Sequence, residues 1–493
     1  MEPASQSQSP AAVRRVAGDI GRFRAPLAVA LALAAGAALR LWMLKEFFQV
    51  QGDSLIYGAL AKNLLLHGSY ALNGTGGEIY PTLIRLPGYP LFLALCFRLF
   101  GMENYASAAW AQIALELAGC LLLADFARRI APPALSSGAA LCTLWMAALC
   151  PFTASYAAMP LTEALTLFLI ALALWAVARF HARPAWPSAL CFTFAVCGAA
   201  LLRPDGALLG AALAPALVFG SRVGDGTPAI GKKGLLRMAL VCVLLALAPF
   251  AAWSWRNWRV FHLVQPLAPR YANDPGEATY PGWQRWIKTW CLDFTCTYDV
   301  YWAVPGAPLD LSKLPERAFD SPAEYAETAA LAAEYNEKDS GLDISPSLDA
   351  RFARLADQRI AAHPLRYYLW LPLGRLADMG LRPRVENLPI DLDWWVYARH
   401  REETAFCWAW AALNALYLAL GLAGLYLRPR LWPWMLAYLL LRCALLATIE
   451  APETRYTLEC FPMLFALGGI ALYRFTNWVC LSVARVKASL GKD

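Results

Sequence analysis

Long apolar runs recur along this chain almost from end to end, separated by short stretches that carry many of its lysines and arginines. About 20 consecutive apolar residues cover the roughly 30 Å hydrocarbon core of a bilayer as an α-helix. With 59% hydrophobic and only 16% charged residues over 493 positions, the chain is too apolar for a soluble protein of this length. It reads as an all-α polytopic membrane protein. The formal net charge of +7 does not point to nucleic acid, because the cations cluster between apolar runs, as they do in cytoplasmic loops.

Residues 1–25 read as a cytoplasmic basic tail with Arg14, Arg15, Arg22 and Arg24 behind a polar start. The first apolar run, 26–44, is long and contains Arg40-Leu41-Trp42 near its end instead of a small-residue cleavage site, which makes it a retained anchor. Further spans are expected at 105–127, 134–158, 160–178, two short ones within 186–220, then 238–255, 405–427, 432–449 and 457–478. The run 186–220 is broken by Arg203-Pro204-Asp205-Gly206, whose charges and interrupted hydrogen bonds are costly in lipid. About ten transmembrane helices put Arg128-Arg129, the loop with Arg222, Lys232, Lys233 and Arg237, Arg428 with Arg430, and both termini on the inner face. The chain then divides into a membrane module at 26–255, a small external helical insertion at 256–404, and C-terminal helices with a tail at 405–493. The first external loop covers 45–104, and Tyr89–Phe100 within it is apolar but too short to cross, so it is expected as an interfacial helix.

In the insertion, Pro322–Ala362 has the spacing of amphipathic helices, and Pro364–Met379 that of another interfacial helix. Trp283, Trp286, Trp290 and Trp302 suit either interface anchoring or stacking on a sugar, with anchoring preferred. Most of the 13 cysteines sit inside apolar runs as small core residues. Cys291 and Cys296 fall in the polar insertion, where a disulfide is permitted.

Asp53 follows the first span, and four more polar groups fall at expected outer ends of spans: Thr162-Glu163, Arg203-Pro204, Arg256-Asn257, and Glu453-Thr454-Arg455-Tyr456. Together with Tyr57 and Arg85 they would line one external face. Glu163 also suits a helix start capped by Thr162, and Arg256 and Arg455 also suit simple snorkelling. Arg203, in an apolar hairpin, asks for an anionic partner. Acids for proton handling beside guanidinium groups that can hold phosphate suggest a phosphorylated lipid substrate. No Ser-His-Asp set, Gly-rich phosphate loop or zinc spacing is present, which leaves nucleotide-driven and nucleophilic hydrolase chemistry without support.

The order Leu39-Arg40-Leu41, Gly52-Asp53-Ser54 with Tyr57, Asn63-Leu64, Gly68, Tyr70 and Arg85 to Pro90 resembles the first external loop of the GT-C glycosyltransferases. Thr162-Glu163, Arg203-Pro204, Arg256-Asn257 and Arg455-Tyr456 continue the resemblance, which is to the bacterial branch similar to protein O-mannosyltransferases and the lipid A aminoarabinose transferase. It covers nearly the whole membrane part but not the insertion between about 270 and 400.

The resemblance implies transfer of a hexosyl or pentosyl group from a polyprenyl-phosphate-linked sugar donor, on the outer face of the inner (plasma) membrane, to an acceptor hydroxyl of a glycan, lipid or protein. It implies Asp53 as general base, with inversion at the anomeric carbon, and Glu163 as a second acid. Tyr57, Arg85, Arg203, Arg256, Arg455 and Tyr456 are the expected donor and lipid-phosphate contacts. No cofactor is required on this reading, although Asp53 and Glu163 would be the ligands of a divalent metal; Ser54 stands where some relatives carry another acid.

A transporter or lipid flippase is the competing class, with sites expected near the bilayer midplane in broken, repeated helices. One broken run, no repeat, and polar residues gathered at one end favour an enzyme over that reading, and the retained Asp53 argues against a non-catalytic scaffold.

Overall fold

The structure is a computed structural model and describes residues 10–74, 76–219, 231–337 and 341–490. The polar start at 1–9, the side chains of Arg14, Arg15, Arg22, Arg24, Lys232 and Lys487, Arg222 after the broken run, and Lys492 lie outside the described residues.

The chain forms α1 (Pro10–Phe47), α2 (Asp53–His67), the hairpin β1 (Ala71–Asn73) and β2 (Ile79–Pro81), and α3 (Gly88–Phe100). The membrane module continues with α4 (Tyr105–Ile130), α5 (Ser136–Ala148), α6 (Pro151–Ala157), α7 (Glu163–Ala182), α8 (Trp186–Leu202), α9 (Ala207–Phe219) and α10 (Lys232–Phe261). The insertion holds α11 (Pro281–Lys288), α12 (Phe294–Cys296), α13 (Pro322–Tyr335), α14 (Pro346–Ala362) and α15 (Leu371–Leu381). The chain closes with α16 (Arg401–Tyr426), α17 (Trp432–Leu446) and α18 (Phe461–Leu490).

Among the described residues, six helices are long and apolar enough to cross a membrane, and a bent pair makes a seventh candidate. The other three expected spans are the shorter apolar helices Trp186–Leu202, Pro204–Phe219 and Trp432–Leu446. At 1.5 Å per residue, helices of this length reach only about 20–26 Å, less than the hydrocarbon core. Burial sorts the spans: 72% of the apolar window of α7 and of the Thr454–Val483 span is covered by protein, but only 6% of that in α10. Helix α7 packs between α4 and α8, and α18 against α5 and α16. Helix α10, apolar but uncovered, has the surface of a lipid-facing helix.

The expected single span 134–158 is instead two helices bent by 54°. Pro151 opens α6, and its missing N–H and ring geometry end the preceding helix. The carbonyls freed at the break are held by Arg40, which donates from Nη1 to Ala148 O at 2.6 Å and from Nη2 to Ala147 O at 3.4 Å. Glu116 neutralises it through two 3.0 Å bonds, and Arg40 is fully buried. Sequence reading noted Arg40 only as part of a motif; its job in the structure is to brace a broken helix.

The segment between α1 and α4, expected as the first external loop, contains a strand pair that the helical reading lacked, with Leu72 opposite Tyr80 in an antiparallel hairpin. Asp53, expected in a loop, is the first residue of α2. Gly52 precedes it at φ 54°, a left-handed conformation that costs glycine little. A β-carbon on Gly88 would stand 2.6 Å from Leu201 O, so only glycine lets the start of α3 lie against the end of α8. That approach brings the Arg85 loop beside Arg203.

The insertion is helical, with α13 and α14 within the expected amphipathic stretch. Its tryptophans correct both sequence readings: Trp283, Trp286 and Trp290 are its core, each at most 2% exposed. They pack with one another and with Phe352 at centroid distances of 4.9–5.4 Å. Indole area buried against α14 stabilises a domain this small more than surface anchoring would. Trp302 stays half-exposed on the cavity described below. Cys291 and Cys296 are disulfide-bonded. In the stretch 364–379, Leu365, Tyr368 and Trp370 are exposed while Arg375 is buried, donating from Nε to Cys291 O at 2.9 Å.

Candidate active site

A cavity of about 1380 Å³ opens between the segment joining α1 to α4, the N-terminal end of α7, the break between α8 and α9, the insertion, and the segment before α18. Asp53, Tyr57, Arg85, Glu163, Arg203, Arg455 and Tyr456 all line it. Seven of the eight expected site residues therefore meet on one wall, although they are drawn from positions up to 403 apart in the sequence. Their elements explain the convergence. Gly52 starts α2 so that Asp53 sits in its first turn, where the helix dipole favours a carboxylate. Glu163 does the same for α7, Pro204 breaks the apolar run just after Arg203, and a 3₁₀ turn at Thr454–Cys460 presents Arg455 and Tyr456 ahead of α18.

Asp53 is gripped at both oxygens. Arg85 Nη2 lies 2.8 Å from Oδ1, and Arg455 Nη2 lies 3.4 Å from Oδ2. Burial alone pushes the Asp53 carboxyl up, but the two guanidinium groups outweigh it and hold the pKa below the ordinary carboxylate value. Arg85 is shifted up by the same contact, against its own burial. Tyr57, buried in α2 beside Asp53 and edge-on to Tyr89 at 5.0 Å, has its phenol pushed up to about 12 by burial and by the Asp53 charge.

Arg455 also reaches Glu453 at 2.5 Å and Glu163 at 3.8 Å. Arg203 meets Glu163 at 3.4 Å, Asp205 at 3.3 Å and Glu459 at 3.2 Å. The anionic partner that Arg203 demands is thus supplied by the protein. Arg442 completes the network with Glu459 at 2.9 Å and a close contact to Asp205. The Tyr456 ring lies between Arg203 and Arg455, whose guanidinium carbons are 5.1 and 5.6 Å from its centroid, and its hydroxyl donates to Glu453.

Arg256 is the exception. It donates from Nη1 to Thr82 O and from Nη2 to Tyr70 O, each at 2.7 Å, and its guanidinium packs on the rings of Tyr70, Trp253 and Phe261. It does not line the cavity. The fork is spent on the two ends of the hairpin that leads to Arg85, while Tyr70 donates to Arg85 O at 3.1 Å and Asp274 accepts from Leu83 N at 2.8 Å.

Asp53 and Glu163 do not fit a shared divalent metal. Arg455 stands between them, with one nitrogen toward each carboxylate, so a guanidinium holds the position where a bridging cation would sit. Among the described residues, the group of acids and histidine with ligand-like spacing is Asp391, His400 and Glu403, at the edge of the insertion.

Several residues of the site escaped sequence reading. Glu459 and Arg442 belong to the charge network with Asp205 and Glu453, which the sequence had marked only as part of a helix break and of a polar group, and Arg384 fastens the turn that carries Arg455 by donating to Thr454 O at 2.7 Å. Glu386 and Asn387 line the cavity, and Glu386 Oε1 and Asn387 Nδ2 are buried with no hydrogen-bond partner. Arg442 had a readable signal, an arginine in the middle of an apolar run; the segment 382–400 had none.

No curated protein matches the chain in sequence. Residues 85–255 match the model of the family described as dolichyl-phosphate-mannose-protein mannosyltransferase. Over that segment the chain resembles this family, and with it the GT-C glycosyltransferases. The mannosyltransferase-like segment starts at Arg85, includes Glu163 and Arg203, and stops one residue before Arg256.

Among solved structures, the chain is similar to the archaeal oligosaccharyltransferase AglB of Archaeoglobus fulgidus in complex with an inhibitory peptide and a dolichol-phosphate. That match has a TM-score of 0.49 and 13% identity, and covers 95% of this chain and 52% of that one. The apo form of the oligosaccharyltransferase from the same organism gives 0.45 and 11%, over 94% and 52%. ArnT of Cupriavidus metallidurans bound to undecaprenyl phosphate gives 0.37 and 14%, over 90% and 78%. The chain spans about half the length of the first two.

Proposed function

We propose that this multi-pass membrane protein is a glycosyltransferase that moves a sugar from a polyprenyl-phosphate donor to an acceptor hydroxyl. The observation that carries this reading is the grip of Arg85 and Arg455 on the two oxygens of Asp53 inside a large cavity at one end of the helices. A lipid-borne phosphate needs an apolar route for its tail and guanidinium groups at its end; the reaction needs a carboxylate within reach of an aqueous acceptor. The family match over residues 85–255 supports the same chemistry.

In the resting site Asp53 is ionised but weakly basic, because two cations stabilise its charge. A donor phosphate arriving beside Arg85 and Arg455 competes for their N–H groups. As those bonds turn to phosphate, Asp53 regains basicity and can take the proton of the acceptor hydroxyl. The hydroxyl oxygen attacks the anomeric carbon from the face opposite the phosphate; the carbon–oxygen bond to phosphate breaks, and inversion follows. Charge developing on the leaving polyprenyl phosphate is met by Arg85 and Arg455. Arg203 and Glu163 hold Arg455 and Tyr456 in place, and Arg256 positions the Arg85 loop. No step is routed through a metal. The active site is assigned to the extracytoplasmic face of the plasma membrane, with the short basic loops inside.

The test is release of polyprenyl phosphate by the purified full chain from a panel of polyprenyl-phosphate sugars, with mass analysis of lipid-linked sugars and envelope glycans after deletion of the chain. Release from one donor, and accumulation of that donor on deletion, supports the proposal. Release from none, with envelope glycans unchanged, contradicts it.

A further inference from the structure

A second cavity, of about 540 Å³, lies at the other end of the bundle and is lined by Arg128, Arg129, Arg428 and Arg430 together with Pro132 and Pro133. Helix α7 fixes its position. Its first residue, Glu163, lines the large cavity. Trp175, about 18 Å further along the axis, donates to Asp125 Oδ2 at 2.9 Å, the carboxylate that pairs with Arg128 and Arg129 at 2.5 and 2.6 Å. The two cavities therefore face opposite ends of the same helix.

The charge in this second cavity is not balanced from within. Arg128 and Arg129 share the single carboxylate of Asp125. Among the described residues no carboxylate pairs with Arg428 or Arg430. Arg428 packs its guanidinium on the Trp432 ring at 5.5 Å. Arg430 is tied to α4 only through its backbone, N to Ile130 O at 3.0 Å. Two chain turns, one after α4 and one after α16, are thereby stitched together, and four arginines line one hollow.

Retention of positive loops on one side of a membrane needs only charge near the surface. It needs no concave site, and it does not account for four arginines lining one cavity beside apolar prolines. Basic pockets between membrane helices at the headgroup level bind anionic lipid headgroups, and a guanidinium fork matches phosphate oxygens two at a time.

We propose that this pocket binds the phosphate of an anionic membrane lipid in the leaflet opposite the active site, held by Arg428 and Arg430 with Arg128 and Arg129 at its rim. The occupant is a lipid phosphodiester and not free phosphate, because the hollow lies where helix ends meet the headgroup layer and one wall is apolar.

The experiment is native mass spectrometry of the delipidated full chain, titrated separately with phosphatidylglycerol, phosphatidylcholine and inorganic phosphate. The proposal predicts one saturable phosphatidylglycerol, no comparable retention of phosphatidylcholine, and no displacement by millimolar inorganic phosphate. R428Q/R430Q weakens that lipid's binding by about tenfold or more, from the loss of charge-assisted hydrogen bonds. Should that variant fail to fold, R428K/R430K keeps the charge but not the fork, and several-fold weaker binding is expected. Equal retention of phosphatidylcholine, displacement by inorganic phosphate, or wild-type binding by either variant would overturn the proposal.

Discussion

Arg455 Nη2 lies 3.4 Å from Asp53 Oδ2, joining the first turn of the helix after the first span to the segment that opens the last one. Arg85 holds the other oxygen at 2.8 Å. The chain thus closes its two ends on one carboxylate, and the charge of that carboxylate depends on both arginines.

The first consequence concerns pH. Because the folded-state pKa of Asp53 is lowered, its contribution to stability is present above the ordinary carboxylate value of about 3.9 and is lost as pH falls through the folded value. The acid limb of kcat/KM, which reports the free protein, is expected below that ordinary value. R85Q removes the larger of the two lowering influences and should move this limb upward. With donor bound, the guanidinium groups turn to phosphate, so the acid limb of kcat should lie at higher pH than that of kcat/KM. Coincident limbs that R85Q does not move would contradict this.

Arg256 and Arg203 should behave differently, although sequence placed them together. The two 2.7 Å bonds of Arg256 to Tyr70 O and Thr82 O need a planar fork, so R256K should lower thermal stability by about 1.5–3 kcal/mol per lost charged hydrogen bond at most. Added polyprenyl phosphate should raise the midpoint of this variant as much as that of the unmodified protein. If R256K keeps its stability but loses that response, Arg256 holds phosphate after all.

The buried pair behind the site gives a prediction on folding alone. Arg40 and Glu116 share two 3.0 Å bonds, and removing one partner from such a pair costs about 3–5 kcal/mol. E116Q should therefore lower the thermal midpoint sharply. R40M/E116L should recover only part of the loss, because the Ala147 and Ala148 carbonyls still lose their donor. Full recovery would mean that the bend at Pro151 needs no such brace.

How much of this was legible follows from the kind of force involved. Asp53, Arg85, Glu163, Arg203, Arg455 and Tyr456 could be grouped because charge is expensive in apolar runs and so marks the sequence wherever it occurs. Arg256 carries the same mark, but its direction is set by a hairpin whose short strands, Ala71–Asn73 and Ile79–Pro81, leave almost no periodic trace. Trp283, Trp286 and Trp290 were misread for a related reason. A tryptophan in a polar segment suits an interface or a small core equally, and only packing against Phe352, at least 66 residues beyond Trp283 and Trp286, decides between them. The break at Pro151 was hidden inside an uninterrupted apolar run. The exchange of Glu163 between Arg203 and Arg455 is a matter of distance alone.

Glu386 and Asn387 line the cavity, and each holds a buried polar atom, Oε1 and Nδ2, with no partner in the protein. Buried polar groups of this kind are costly unless something bonds them, and sugar or acceptor hydroxyls have the matching chemistry. N387A and E386Q should raise KM for donor or acceptor by about tenfold, the effect of one such bond, while leaving the pH limb set by Asp53 in place. An unchanged KM for both substrates would remove these residues from recognition.

The central claim is that Asp53 takes the acceptor proton, and D53N in the purified full chain tests it most directly. The amide keeps the size of the side chain and frees Arg85 and Arg455 for phosphate. Sugar transfer from the polyprenyl-phosphate donor should then fall by about 10²- to 10⁴-fold, with binding of polyprenyl phosphate retained or tightened and the protein inserted at normal levels. Transfer by correctly inserted D53N at the unmodified rate would show that Asp53 is not the base.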